Sequence, residues 1–278
     1  PPNLAVVGKL PMRKKRNLNK GNNTKVAMVF VAFVLLIVSI SLIFKFIFVL
    51  SQSQFDDSKR FTLTVSNKRE LEVISFSPIS RSVSILKLGK NLDTPVNKFL
   101  AIPIDGFVKG ESLDLNQKIE TLLSQMILNY RKLQTNLTVI DCIKLFIFAK
   151  SLPERGVNIR NISQDLSVSE IDSIVTRLVS DELIERDGKT IQVVNGTNVV
   201  GLGNRLARFI TNMGGDVIFV ATANNHQKYS MISYIDNKSY TVERLNKILG
   251  FKTVKVSDKL LADISIVIGE DSLNSLSF

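Results

Sequence analysis

The 278-residue chain is poor in the residues that build several common kinds of site. Cys142 is its one cysteine, which excludes an intramolecular disulfide and the small disulfide-stapled scaffolds of secreted domains. His226 is its one histidine, which excludes a multi-histidine metal centre and leaves Ser/His/Asp catalysis no other imidazole to use. With 14 glycines and 7 prolines the chain is neither collagen-like nor low in complexity. Hydrophobic residues make up 45% and charged residues 22%, enough apolar surface for one or two packed domains and too few charges for a disordered chain.

Acidic residues are missing from the start. The first 25 positions hold Lys9, Arg13, Lys14, Lys15, Arg16, Lys20 and Lys25 with no carboxylate. After Lys45, residues 51–278 carry 28 basic and 25 acidic side chains, so most of the formal charge of +11 sits in one flank. A nucleic-acid binder would spread that charge over its surface; here it precedes a run of another kind.

From Val26 to Phe44 there is no charge for 19 residues, and after Lys45 the apolar run resumes to Leu50. Twenty-five helical residues span roughly 37 Å at about 1.5 Å each, enough to cross a hydrocarbon core of about 30 Å. Residues 26–50 therefore read as a transmembrane helix in contact with the lipid bilayer, with Lys45 close enough to one end to snorkel. A cleaved signal peptide is the competing reading, but SQSQF at 51–55 lacks the small-x-small cleavage pattern. Seven cations before the helix, against Lys59 and Arg60 offset by Asp56 and Asp57 after it, place residues 1–25 as a cytoplasmic tail and the rest outside. The expectation is a single-pass cell-membrane protein. Met12 stands before RKKRNLNK in the manner of a start, which makes residues 1–11 upstream read-through or the chain a fragment.

Beyond the span, FTLTV (61–65), LEVISF (71–76) and SVSILKL (82–88) are β-branched and separated by turn residues, the pattern of a small antiparallel unit. The period then turns helical. Leu115, Ile119, Leu122, Leu123, Met126, Ile127, Tyr130 and Leu133 form one stripe, and Thr138 with Asp141 and Ser167 with Glu170 read as capping boxes of two further helices. The first of these, 139–150, is apolar nearly all round and reads as a buried core helix containing Cys142.

From 190 to 272 the order is regular. Strand IQVV (191–194), a turn at Asn195-Gly196, a helix from about 200 to 213 stopped by Gly214-Gly215, and strand DVIFVA (216–221) make one β-α-β unit. Strand 229–235, a helix from about 240 to 249 stopped by Gly250, and strand 263–269 make a second. The expected fold class is α+β: one membrane helix, a mixed β and helical middle region over 61–186, and a ferredoxin-like βαββαβ domain with two helices on a four-stranded sheet.

The residues that carry these elements resemble a known family. VVNGTNVVGLGNRLARFITNMGGDVIFV from Val193, SYTVERLNKILG at 239–250 and ADISIVIGED at 262–271 are similar to the C-terminal domain of LytR/CpsA/Psr-type envelope proteins. Upstream, VISFSPISRSVSILKLGKNLDTPV and IPIDGFV (102–108) resemble strands of that family's catalytic domain. The resemblance implies transfer of anionic glycopolymers from a polyprenyl-pyrophosphate carrier to peptidoglycan. Where the family writes S-I-P-R-D, however, this chain has Leu86-Lys87-Leu88-Gly89-Lys90, without the arginine that grips pyrophosphate or its neighbouring aspartate. Residues 61–186 thus read as a reduced, inactive relative or as a separate helical module, and the chain is not expected to be an enzyme.

The candidate ligand-binding residues are Asn195, Gly196, Thr197, Gly201, Gly203 and Arg205, in a glycine-bearing turn before a helix N-terminus where backbone N–H groups attract anions. The bland reading of the same glycines is a tight turn and close helix-to-strand packing. His226 reads as a polar loop residue, and Asp105, Asp114 and Asp141 lack the spacing of an acid/base couple. No catalytic residue, metal or cofactor is expected. The functional expectation is a membrane-anchored envelope protein whose exported C-terminal domain binds a cell-wall polymer or an envelope protein. One alternative is a glycopolymer phosphotransferase using Arg81, Lys87 and Lys90. Another is a membrane-anchored transcriptional regulator with a winged-helix reader at 166–193, using Arg177, Arg186 and Lys189. The exported topology and the acids of that segment argue against nucleic acid.

Overall fold

A computed structural model describes residues 20–89, 92, 94–257 and 261–276. The basic tail before residue 20, Met12 and Lys90 lie outside these. The chain divides into residues 1–51 and 52–278. The first unit contains α1 (Lys20–Ser51), in which Thr24–Ser51 is a 28-residue stretch of mean hydropathy 3.1. At about 1.5 Å per residue that stretch is roughly 42 Å long, longer than a hydrocarbon core of about 30 Å.

The second unit opens with a meander of β1 (Phe61–Ser66), β2 (Glu70–Ser77) and β3 (Ser82–Gly89), antiparallel and in register from Leu63 to Ile74 to Ile85. After α2 (Val96–Leu100), β4 (Gly106–Lys109) joins β1 in parallel. The chain continues through α3 (Ile119–Leu128), β5 (Gln134–Thr135) and α4 (Val139–Lys150) to β6 (Val157–Ile162), which joins β3 in parallel, and then α5 (Val168–Val179) and α6 (Glu182–Asp187). The result is a mixed sheet in the order β5-β4-β1-β2-β3-β6 rather than the small antiparallel unit expected. The edge strand β6, VNIRNI, was not legible because it is exposed along most of its length and shows no apolar alternation.

The sheet is buried on both faces. Ile74, Phe76 and Ile85 pack with Leu123, Met126 and Leu145 on one side, while Val73 and Leu86 pack with Leu100, Ile171 and Val175 on the other. Both capping boxes form: Thr138 with Asp141 starts α4, and Ser167 with Glu170 starts α5. Apart from a single 3-10 turn at Tyr130–Lys132, the stripe from Leu115 to Leu133 is α-helical only over Ile119–Leu128. Asp114 accepts from the backbone N–H of Asn116 in a turn before it, and Asn129 closes it, so Leu115 and Leu133 reach the core from loops. Helix α4 also differs from expectation, since Ile143 and Ile147 are exposed.

The second sheet contains β7 (Thr190–Asn195), β8 (Asp216–Thr222), β9 (Met231–Tyr234), β10 (Lys252–Lys255) and β11 (Ile264–Ile268), with α7 (Leu202–Asn212) and α8 (Tyr240–Leu249) between them. The β-α-β-β-α-β order holds, with β10 added before the last strand, so the sheet has five strands in the order β10-β9-β11-β7-β8. Each β-α-β connection joins direct parallel neighbours, β7 to β8 and β9 to β10, and β11 closes the centre. This differs from the ferredoxin-like arrangement, in which the units interleave. Ile191, Val193, Ile232 and Ile266 meet Leu206, Phe209, Ile210 and Leu245 in the core beneath the helices. On the far side of that layer α5 packs on α7, and α6 on α8, so the two sheets share one helical interior.

Candidate functional site

Helix α8 faces β1 and the loop before β4 across a cleft of about 780 Å3. Ile102, Ile104, Phe209 and Ile248 give it apolar walls, and Lys59, Arg60, Arg244 and Lys247 bring four cations to it. Most of those charges are already matched. Asp56 and Lys59 stand 3.1 Å apart, and hydrogen bonds from Ser58 with the Lys59 charge hold the Asp56 carboxyl down at about 2. Arg60 donates at 2.6 Å to Glu182, and to Ser75 and the Leu178 carbonyl. Arg244 grips Asp105 with two bonds of 3.0 and 3.1 Å, a planar fork on a carboxylate, and lies 3.6 Å from Asp181. Lys247 is exposed and has no carboxylate within 4 Å among the described residues.

The charges near Arg244 form one buried network. Asp181 accepts from the Tyr240 hydroxyl at 2.8 Å; burial pushes its carboxyl above the ordinary range, against the pull of Tyr240 and Arg244. Burial opposes the Arg244 charge, yet Asp105 outweighs it and raises the guanidinium further. Asp187 accepts from the Thr241 backbone N–H one turn earlier on α8. On α7, Arg208 donates to both oxygens of Asp172, and Asn212 donates to Asp172 and to the Leu100 carbonyl. Both helices of the second sheet thus insert polar side chains into acceptors on residues 99–187.

The turn selected from sequence is built differently. Asn195 and Thr197 are buried and bond to each other: Asn195 Oδ1 accepts from the Thr197 N–H at 3.1 Å and its hydroxyl at 2.8 Å, while Asn195 Nδ2 donates to the Val199 carbonyl. Gly196 bonds through N–H to Ile268 and through C=O to Gln227, so closely that a Cβ there would stand 2.5 Å from the Gln227 side chain. Gly201 caps α7 at φ 77°, and Gly203 lets α7 approach Val220. Arg205 is exposed beside Lys98 and Arg208 in a separate depression. The polar side chains of Asn195 and Thr197 are spent on the turn itself, and Arg205 does not converge with them.

Comparison with known proteins bears on the second sheet. Residues 189–271 match the family model LytR_C, described as "LytR cell envelope-related transcriptional attenuator". This part of the chain is a LytR C-terminal domain. No curated protein matched the sequence. Among solved structures, the transcriptional regulator YvhJ from Bacillus subtilis is 12% identical with a TM-score of 0.33, covering 43% of this chain and 97% of that one. TagT of B. subtilis is 13% identical with a TM-score of 0.33, covering 45% and 92%. Likenesses this slight carry no argument about activity.

The LytR C-terminal domain supplies Arg244 and Lys247 to the cleft, and residues 52–105 supply the facing wall. The Asp of IPIDGFV, Asp105, is the one Arg244 holds. That pairing was not legible: Asp105 stands alone in sequence, and the only signal was that Tyr240 and Arg244, four apart, share a face of α8. Of the basic residues of the transferase alternative, Lys90 lies outside the described residues, and Arg81 and Lys87 do not converge. Arg81 immediately precedes β3 and Lys87 lies near its far end, roughly 20 Å apart at about 3.3 Å per residue. Arg81 donates to the Ser151 carbonyl and Lys87 pairs with Glu72. Between α4 and the strands, where a transferase would need room for a lipid carrier, Phe55, Phe76 and Phe148 fill the space edge to face. The segment 166–193 forms α5, α6 and β7, and β7 lies between two parallel neighbours, so Lys189 precedes a central strand and neither a wing nor a hairpin forms.

Proposed function

We propose that the chain is a single-pass envelope protein, N-terminus cytoplasmic, whose exported LytR C-terminal domain binds an anionic component of the cell wall without acting on it chemically. One observation carries the reading. The domain and the sheet before it line a common cleft in which the arginines are neutralised internally while Lys247, among the described residues, has no carboxylate within 4 Å and stands beside apolar walls. A site of this make-up suits an anionic group attached to a larger, less polar body. The family's envelope association and α1 support the compartment. Arg60 and Arg244, the arginines that line the cleft among the described residues, are held by Glu182 and Asp105 rather than left to stabilise a transferring pyrophosphate, which favours binding over transfer.

The test is co-sedimentation of the full chain, in detergent micelles, with isolated sacculi that retain or lack their anionic polymers. Binding is expected to need those polymers, and Lys247→Glu should weaken it about tenfold, equivalent to about 1.4 kcal/mol. Arg205→Glu, in the other depression, should leave it unchanged. Loss with Arg205→Glu alone moves the site to the turn at 195–205. Failure of the unaltered chain to sediment replaces the wall ligand with a protein partner.

A further inference from the structure

The residues after α1 are tied down at once. Ser53 Oγ and the backbone N–H groups of Gln54 and Phe55 donate to Asp141 Oδ1 at 2.7, 2.8 and 2.9 Å. Lys144 donates to Ser53 at 2.9 Å and to the Phe55 carbonyl at 3.3 Å, and the Phe55 ring is buried against Phe61, Phe76 and Phe148. Asp141 lies in the first turn of α4. Only Gln52 separates the last residue of the apolar helix from the clamp, a covalent reach of roughly 7 Å at about 3.5 Å per residue.

The outer face of α4 does not suit water. Val139, Ile143 and Ile147, spaced i, i+4 and i+8, are 36%, 40% and 61% exposed, while Cys142, Leu145 and Ala149 on the opposite face are buried. The helix is therefore apolar on both sides, with one side uncovered. Lys150 lies beside the uncovered stripe and is exposed, its ammonium 4.9 Å from the Phe146 ring, while the Lys144 ammonium is turned to the clamp.

We infer that α4 lies along the outer surface of the bilayer, its Val139–Ile143–Ile147 stripe in the boundary between headgroups and acyl chains and Lys150 toward lipid phosphates. The occupant follows from the tether. A helix whose first turn is held about two residues from the end of a membrane span has lipid as its nearest apolar neighbour, and an apolar face with an exposed lysine at its edge is the form that surface takes up. The inference rests on the anchor reading of α1. It deepens that reading by giving the exported unit a second, fixed contact with the membrane.

The experiment labels the full chain, reconstituted in phospholipid vesicles, at Ile147→Cys with an environment-sensitive fluorophore, and separately at Val200→Cys, which is 92% exposed in the LytR C-terminal domain. Cys142 is buried, and burial with the neighbouring Asp141 charge pushes its thiol up to about 11, so it stays unlabelled in the folded chain. Nitroxide lipids should quench the Ile147→Cys label by about half or more, since such a face sits roughly 5–10 Å into the interface. The Val200→Cys label should be unaffected. Equal, weak quenching of both in a chain that resists alkaline extraction overturns the α4 contact and leaves the anchor standing. Extraction of the chain by alkali overturns the anchor and the contact with it.

Discussion

Asp141 accepts five hydrogen bonds, from Ser53, Gln54, Phe55 and twice from Thr138. Burial opposes its charge, but the bonds from Phe55, Ser53 and Thr138 outweigh it and hold its carboxyl below the ordinary range. Its stabilising contribution is therefore complete above the unfolded value of about 4 and is lost as pH falls through the lower folded value. Asp141→Asn should flatten the acid limb of a melting-temperature profile below about pH 4. Asp141→Ala, which strands buried donors, should cost about 3 kcal/mol or more in denaturant unfolding. Gly196 is a second position where one atom decides. A Cβ there would meet Gln227 at 2.5 Å and the Ile268 carbonyl at 2.8 Å, so Gly196→Ala should cost about 1–3 kcal/mol by thermal unfolding. A silent Gly196→Ala would show that the turn relaxes freely.

At the scale of elements, the helix starts were the most legible part of the sequence. Thr138-x-x-Asp141 and Ser167-x-x-Glu170 marked α4 and α5 to the residue, because a cap is a local event with a local signature. The strands β6 and β10 were missed for the opposite reason: VNIRNI and KTVK hold their places at sheet edges through pairing with β3 and β9, and their own side chains stay largely in water. The candidate site was legible only in part. The turn at 195–203 was located correctly as a turn, but that its polar side chains face inward depends on Gln227 and Ile268, distant in sequence. The cleft, made by Arg244 meeting Asp105 across 139 positions, had no local mark at all. Arg244→Met should leave Asp105 and Asp181 buried without their cation and cost about 3–5 kcal/mol. A double change of Arg244→Met with Asp105→Leu should recover part of that loss; if it does not, the pair is not what joins α8 to the first sheet.

For the molecule as a whole, the charge distribution and the docking geometry agree. Residues 51–278 are nearly neutral, 28 bases to 25 acids, and their charged groups are used to seat the LytR C-terminal domain on the sheet before it. Asp172, Asp181, Asp187 and Asp105 receive Arg208, Tyr240, Thr241 and Arg244. The acids of the segment once open to a DNA-reading role thus serve as seats for α7 and α8. A unit joined in this way should unfold in one transition, followed alike by far-ultraviolet circular dichroism and by calorimetry; two separated transitions would show the domain to be loosely hung. If this unit works outside the membrane, as proposed, topology fusions at Phe278 will report it. A periplasm-dependent phosphatase there should be active and a cytoplasm-dependent fluorescent protein dark. A dark phosphatase with a bright fluorescent protein would put the LytR C-terminal domain in the cytoplasm and rule out an exported wall-binding role.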